Sequence, residues 1–222
     1  MANQTEKGRF ITVKGIGNVT AKPDLTVISM DLYTQTPEYE RTMEQATSEI
    51  ESIRKALISI GYEQQALKTT NFDISMSYES YKDAKGNYQR DFSGYRCSHA
   101  LKLEFDFDMK RLGETISAIS SCGATPEFHI AFSVKDKNAV SNELLVNAII
   151  NAKEKAVILV NAAGVRLGAI QRIDYNWGEL RLYSETKFSD MILSEKASAK
   201  PMEIEPEDIK VNDSVTVVWA IE

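Results

Sequence analysis

The chain has 222 residues, 43% of them hydrophobic, and 26 Lys and Arg against 32 Asp and Glu for a net charge of −6. That size and composition suit a globular protein with a sizeable core, and the acidic balance argues against nucleic acid or an anionic membrane surface as the main partner. No stretch approaches the roughly 18 apolar residues of a membrane span, and two cysteines are too few for a disulfide framework.

The opening residues, Met1 to Phe10, hold no apolar segment of a signal peptide. A cytoplasmic location is expected, or a periplasmic one if an export signal has been removed. Residues 10–14 read as a short strand that Gly15-Ile16-Gly17 breaks as a turn or bulge. A strand follows over about 25–35, with apolar residues on both parities. From Pro37 a helix runs to about residue 60, with Met43, Ala46, Ile50, Ile53, Leu57 and Ile60 in one apolar stripe and Gly61 as its stop.

Residues 67–81 form a strand with Phe72, Ile74, Met76 and Tyr78 on one face. The turn at 83–87 leads into a long returning strand, 88–107, where Tyr95, Cys97, His99, Leu101, Leu103, Phe105 and Phe107 alternate with polar residues. Asp108 caps a helix over 109–122, and a strand over 126–134 carries Phe128, Ile130, Phe132 and Val134 in step. A third helix over 138–163 turns Val140, Leu144, Ala148, Ala152, Ala156 and Leu159 inward and ends at Gly164. Strand 168–177, an aperiodic loop over 179–206 read as mobile, and a strictly alternating strand 209–221 complete the chain.

The middle of this order is strand–helix–strand–strand–helix–strand, the ferredoxin-like split pattern. The expected fold is α+β, with a mixed, mostly antiparallel sheet and helices on one face. A ferredoxin-like βαββαβ core is extended by a helix and two strands, within a single domain over residues 1–222.

The punctuation resembles that of the SIMPL-domain family. Ile11-Thr-Val-Lys-Gly15-x-Gly17 and Lys22-Pro23-Asp24 resemble its opening, and Ser93-Gly94-Tyr95 and Gly123-Ala124 follow in order. Ala152-x-x-Lys155-Ala156, Ala163-Gly164-x-x-Leu167-Gly168 and the tail Ile204-x-Pro206…Ile209-x-Val211…Val215-x-Val217 continue the series. The resemblance implies kinship with bacterial periplasmic or outer-membrane immunogenic proteins and with proteins linked to oxidative-stress defence. Some members resemble building blocks of ring-like homo-oligomers. No agreed activity or catalytic residues come with the family.

The residues themselves point to no catalytic, cofactor or metal site. Cys97, His99, Cys122 and His129 have no zinc-finger spacing, and they read as buried thiols and scattered histidines. There is no Cys-x-x-Cys, no Gly-x-Ser-x-Gly and no Walker sequence, and Gly15-x-Gly17 lacks the third glycine of a dinucleotide loop. Glu104, Asp106 and Asp108 lie on outward parity and read as solvated groups, with Asp108 capping. Five rings crowd one hairpin instead: Tyr78, Tyr81, Tyr88, Phe92 and Tyr95. Tyrosine joins apolar area to a polar tip and is enriched at interfaces.

The expectation is a non-enzymatic, self-associating protein related to stress response, with a homo-oligomer or another protein meeting these rings. The alternative is a small-ligand binder or enzyme with a cleft near the 179–206 loop, using Arg96, His99 and Arg181.

Overall fold

The structure, a computed structural model, describes residues 9–83, 85–176, 178, 180–186 and 205–222. It groups the chain into two compact units. One comprises the described residues of Met1–Pro23, Val134–Glu185 and Glu207–Glu222; the other comprises those of Asp24–Ser133 and Thr186–Pro206. The sequence reading treated the chain as one domain; each unit has apolar clusters of its own.

The larger unit holds β2 (Leu25–Thr36), α1 (Tyr39–Ser59), β3 (Lys68–Lys82), β4 (Tyr88–Asp106), α2 (Met109–Ser120) and β5 (Glu127–Ser133). Its sheet runs β3-β4-β2-β5 and every pairing is antiparallel. This is the ferredoxin-like order expected from the sequence. Period-2 alternation puts Ile28, Met30 and Leu32 of β2 on the same face as Leu101, Leu103, Ile130 and Phe132. That face is covered by Ile53 and Leu57 of α1 and by Leu112 and Ile119 of α2.

Local chemistry sets the helix starts. Asp108 accepts hydrogen bonds from the Lys110 and Arg111 backbone N–H groups, so α2 begins as the sequence indicates. The first helix begins at Tyr39, two residues beyond Pro37, and Glu38 supplies no side-chain cap. The Thr36 and Thr42 hydroxyls are buried 2.7 Å apart and each lies within 2.9 Å of the Glu38 carbonyl oxygen, a cluster that fastens the turn from β2 into α1.

The smaller unit holds β1 (Phe10–Ala21), α3 (Lys137–Ala162), β6 (Leu167–Asp174) and β7 (Ile209–Ile221). Its sheet runs β1-β7-β6, again antiparallel. The third helix and the extra strands therefore form a layer of their own rather than lengthening the ferredoxin-like sheet.

The glycine pair in β1 behaves differently from its reading as a break. The strand runs through it, with Gly15 opposite Val215 and Gly17 opposite Asp213. A Cβ at either glycine would stand 2.0 Å from a backbone oxygen of α3, that of Ala148 or Leu144. Glycine is needed here for close approach between strand and helix. The helix presents Val140, Leu144, Ala148, Ala152, Ala156 and Val160 to this contact. Strict four-residue spacing selects Val160; Leu159, expected inside, is exposed. The helix also satisfies the outer edge of β1. Asn151 Oδ1 accepts from the Ile16 N–H at 3.0 Å, Asn147 Nδ2 donates to the Asn18 carbonyl, and Lys155 Nζ donates to the Lys14 carbonyl.

Candidate functional site

In the larger unit, β2 ends at Thr36, opposite Tyr95. The β3–β4 pairing continues beyond that point from Ser77↔Gly94 to Lys82↔Tyr88. The hairpin therefore extends as a two-stranded arm with no third strand beside it among the described residues. The first helix does not cover it either: α1 starts with Tyr39 edge-to-face on Tyr95, at 5.6 Å, and the chain leaving its far end puts Tyr62 against Phe105.

A bulge decides what the arm displays. The register shifts between Ser77 and Tyr78, leaving Ser93 as an extra residue on β4. The shift compensates for a change of parity, so Tyr88, Arg90 and Phe92 join Tyr95, Cys97 and His99 on one face. Their partners on that face are Lys82, Ser80, Tyr78, Met76, Ile74 and Phe72. The core-facing side of the sheet thus runs on into the arm past the point where helices cover it. Without the bulge, β4 would have turned Phe92 and Tyr88 to the opposite face.

The rings form a connected row. Tyr78 meets Phe92 at 5.9 Å and Phe92 meets Tyr95 at 5.4 Å, both edge to face. Each such pair contributes about 0.5–1.5 kcal/mol beyond area burial. The row nevertheless stays in solvent: Tyr88 is 76% exposed, Met76 59% and Phe92 49%. Two cations lie on it, Lys82 Nζ at 5.0 Å from the Tyr88 centroid and Arg90 Cζ at 5.2 Å from that of Tyr78. The other side of the arm carries Glu79 directly opposite Asp91. One face is therefore aromatic and cationic and the other carries paired carboxylates.

Of the five rings singled out in the sequence, Tyr78, Tyr88 and Phe92 are exposed on the aromatic face, and Tyr95 is half-buried beneath Tyr39. Tyr81 pairs with Gln89 on the carboxylate side and is exposed there. Met76, Lys82 and Arg90 were not picked out. The signal for Met76 and Lys82 was their shared parity with Tyr78. Arg90 was hidden because the bulge is invisible to a parity count. At the tip, Asp83 accepts from the Lys85 and Asn87 N–H groups at 2.9 Å, and the Asn87 bond holds its carboxyl below the ordinary value.

The ligand-site candidates fall apart. His99 faces the core side of β4, whereas Arg96 is on the opposite side, its guanidinium 4.8 Å from the Tyr33 ring centroid. Arg181 belongs to the smaller unit, exposed beside the buried Leu182. Of the 179–206 loop, residues 179 and 187–204 lie outside the described residues. A groove of about 860 Å³ lies instead in the larger unit, at the start of β3, lined by Arg54, Glu63, Gln64, Gln65, Leu67 and Lys68.

His99 Nε2 is 2.8 Å from Thr69 Oγ1, the ring stands edge to face with Phe72 at 5.1 Å, and buried Nδ1 finds no hydrogen-bond partner among the described residues. Burial, aided by the Arg54 charge, depresses its pKa. Cys97 is buried on the same face, and burial pushes its thiol up. Such a thiol is a poor nucleophile. Cys122 is half-buried against the core, and His129 is exposed on β5, which β2 separates from β4. Among the described residues, no group of three or more His, Cys, Asp or Glu is arranged to hold a metal ion. Among them, too, no helix is long and apolar enough to cross a membrane.

Comparison with known proteins agrees with this picture of a fold without an assigned chemistry. The chain is 27% identical over 164 residues to the 26 kDa periplasmic immunogenic protein of Brucella abortus, covering 73% of this chain and 65% of that protein. It matches the protein of that name from Brucella melitensis to the same extent. Against the uncharacterized protein YggE of Escherichia coli it is 21% identical over 225 residues, covering 100% of this chain and 87% of YggE. The model of the SIMPL family, described as a protein of unknown function (DUF541), matches residues 11–219, across both units. The chain belongs to the SIMPL family.

Proposed function

We propose that this SIMPL-family chain is a non-enzymatic, self-associating protein whose contact is the aromatic face of the β3–β4 arm. The observation that supports this reading is the row of Met76, Tyr78, Tyr88 and Phe92, which continues a core-facing side of the sheet beyond its cover. Burying one such side chain is worth about 1.5–3 kcal/mol. Enrichment in aromatic residues and depletion of carboxylates on the same face match the composition of interface cores.

The relatives named periplasmic favour the periplasm over the cytoplasm as the place of action. A stress-response setting rests on the family resemblance, and loss of the protein is then expected to sensitise cells to peroxide.

The direct test is solution mass by analytical ultracentrifugation. The wild type is expected at a multiple of 24.9 kDa. Tyr88→Asp and Phe92→Asp should reduce that mass, while Tyr81→Asp, on the carboxylate side, should reduce it less. A wild-type monomer at the highest soluble concentration ends the proposal.

A further inference from the structure

A second apolar surface lies on the smaller unit. The helix α3 packs its four-residue stripe against the three-stranded sheet. Val146, Ile150, Val157 and Ile158 lie away from that stripe and remain exposed, Ile158 at 67% and Val146 at 57%. At 3.6 residues per turn, Val146, Ile150 and Val157 fall on one narrow line. Exposed Glu143 and Glu154 border the line on one side, and exposed Lys153 borders it on the other.

We propose that the aromatic face of the arm of one copy docks along this outer face of α3 in a second copy. The inference rests on self-association and specifies its geometry as head-to-tail. Two observations favour this occupant. The faces complement each other in charge: the arm face carries Lys82 and Arg90 with no carboxylate, and the helix line is bordered by Glu143 and Glu154 on one side against Lys153 on the other. They are of similar length: from Val146 to Val157 the helix rises about 17 Å, and from Tyr88 to Tyr95 the arm spans about 23 Å.

The charge pattern also disfavours the simplest alternative. Packing two arms face to face through Tyr88 and Phe92 brings the Lys82 and Arg90 cations of both copies together, and like charges across an interface are costly. A head-to-tail contact leaves a free helix face at one end and a free arm at the other. It therefore propagates until it closes into a ring or extends as a filament.

A complementation experiment tests this on the full chain by ultracentrifugation. Phe92→Asp disables the arm, and Ile150→Asp disables the helix face. Both positions are exposed, so both variants should keep the wild-type circular dichroism, with Phe92→Asp losing some Tm along with its two ring pairs. Each alone should lose assembly. Mixed one to one, they retain a single good arm and a single good helix face between them, so they should form a pair of chains and stop there. Tyr88→Ser with Val157→Ser repeats the cycle with milder changes.

If Ile150→Asp keeps the wild-type mass while Phe92→Asp is monomeric, arms pair with arms and the docking is wrong although self-association stands. Two monomeric variants that stay monomeric when mixed also overturn it. A monomeric wild type removes self-association itself and leaves the arm to some other protein. High salt should weaken the assembly if Lys82 and Arg90 face Glu143 and Glu154 across the contact.

Discussion

Gly94 lies directly against the end of β2: a Cβ on it would stand 2.3 Å from the Thr36 carbonyl oxygen and 3.0 Å from Pro37 Cα. Its φ of 131° is also one that side chains with a Cβ rarely adopt. This is the point where the sheet narrows from β3-β4-β2 to the arm alone. Gly94→Ala should cost about 2 kcal/mol or more, from backbone strain and from the displaced β2–α1 turn. Urea unfolding measures the cost. A variant as stable as the wild type shows that the arm root can relax.

The contact between Gly17 and Leu144 predicts a comparable effect in the smaller unit. With the Leu144 carbonyl oxygen 2.0 Å from the position of a Cβ, Gly17→Ala must push α3 off β1. The expected loss is about 1–3 kcal/mol. Gly113 is the control. It lies within α2, a Cβ there meets nothing within 4 Å, and Gly113→Ala should stabilise by about 0.4–1 kcal/mol. Opposite signs for one chemical change would separate close approach from helix propensity.

His99 predicts a pH dependence. Burial lowers its pKa below the ordinary 6.5, with Arg54 acting in the same sense. The unfolded chain thus binds this proton more readily than the folded one. The contribution to stability is present in full above 6.5 and is lost as pH falls through the depressed folded value. His99→Gln can keep a hydrogen bond to Thr69 and cannot titrate. The drop in urea midpoint between pH 7 and about 5 should therefore be smaller in the variant. An equal drop in both proteins would exclude His99 as a source.

Asp108 predicts a simple capping loss. Its carboxylate accepts from the Lys110 N–H at 2.8 Å and the Arg111 N–H at 3.1 Å. Asp108→Ala should cost about 1 kcal/mol, and Asp108→Ser much less, since serine is an equally good cap. Thermal unfolding of the two variants would check this. Equal losses from both would argue against a capping role.

The aromatic arm was half legible before any coordinates. Rings at Tyr78, Tyr88 and Phe92 within one hairpin are visible in the residue order, and so is the turn that joins its strands. Their shared face is not. The parities of Phe92 and Tyr95 conflict along β4, and only the extra residue at Ser93 reconciles them. A bulge arises from pairing with a second strand, so it has no signature in one strand read alone.

The same division holds for the fold. Periodicity, caps and glycines after helices are local, determined by side-chain alternation and by backbone groups a few residues away, and the sequence alone sufficed for them: the ferredoxin-like order, the Asp108 cap and the alternation of β7 were all readable. The roles of Gly15 and Gly17 were not, because they depend on Ala148 and Leu144, more than a hundred residues along the chain. Arg96 and His99 differ in parity along β4, so their separation was readable, but which of the two faces the helices cover was not. Contacts of that range are decided by packing, and packing exists only once the tertiary structure has brought the partners together.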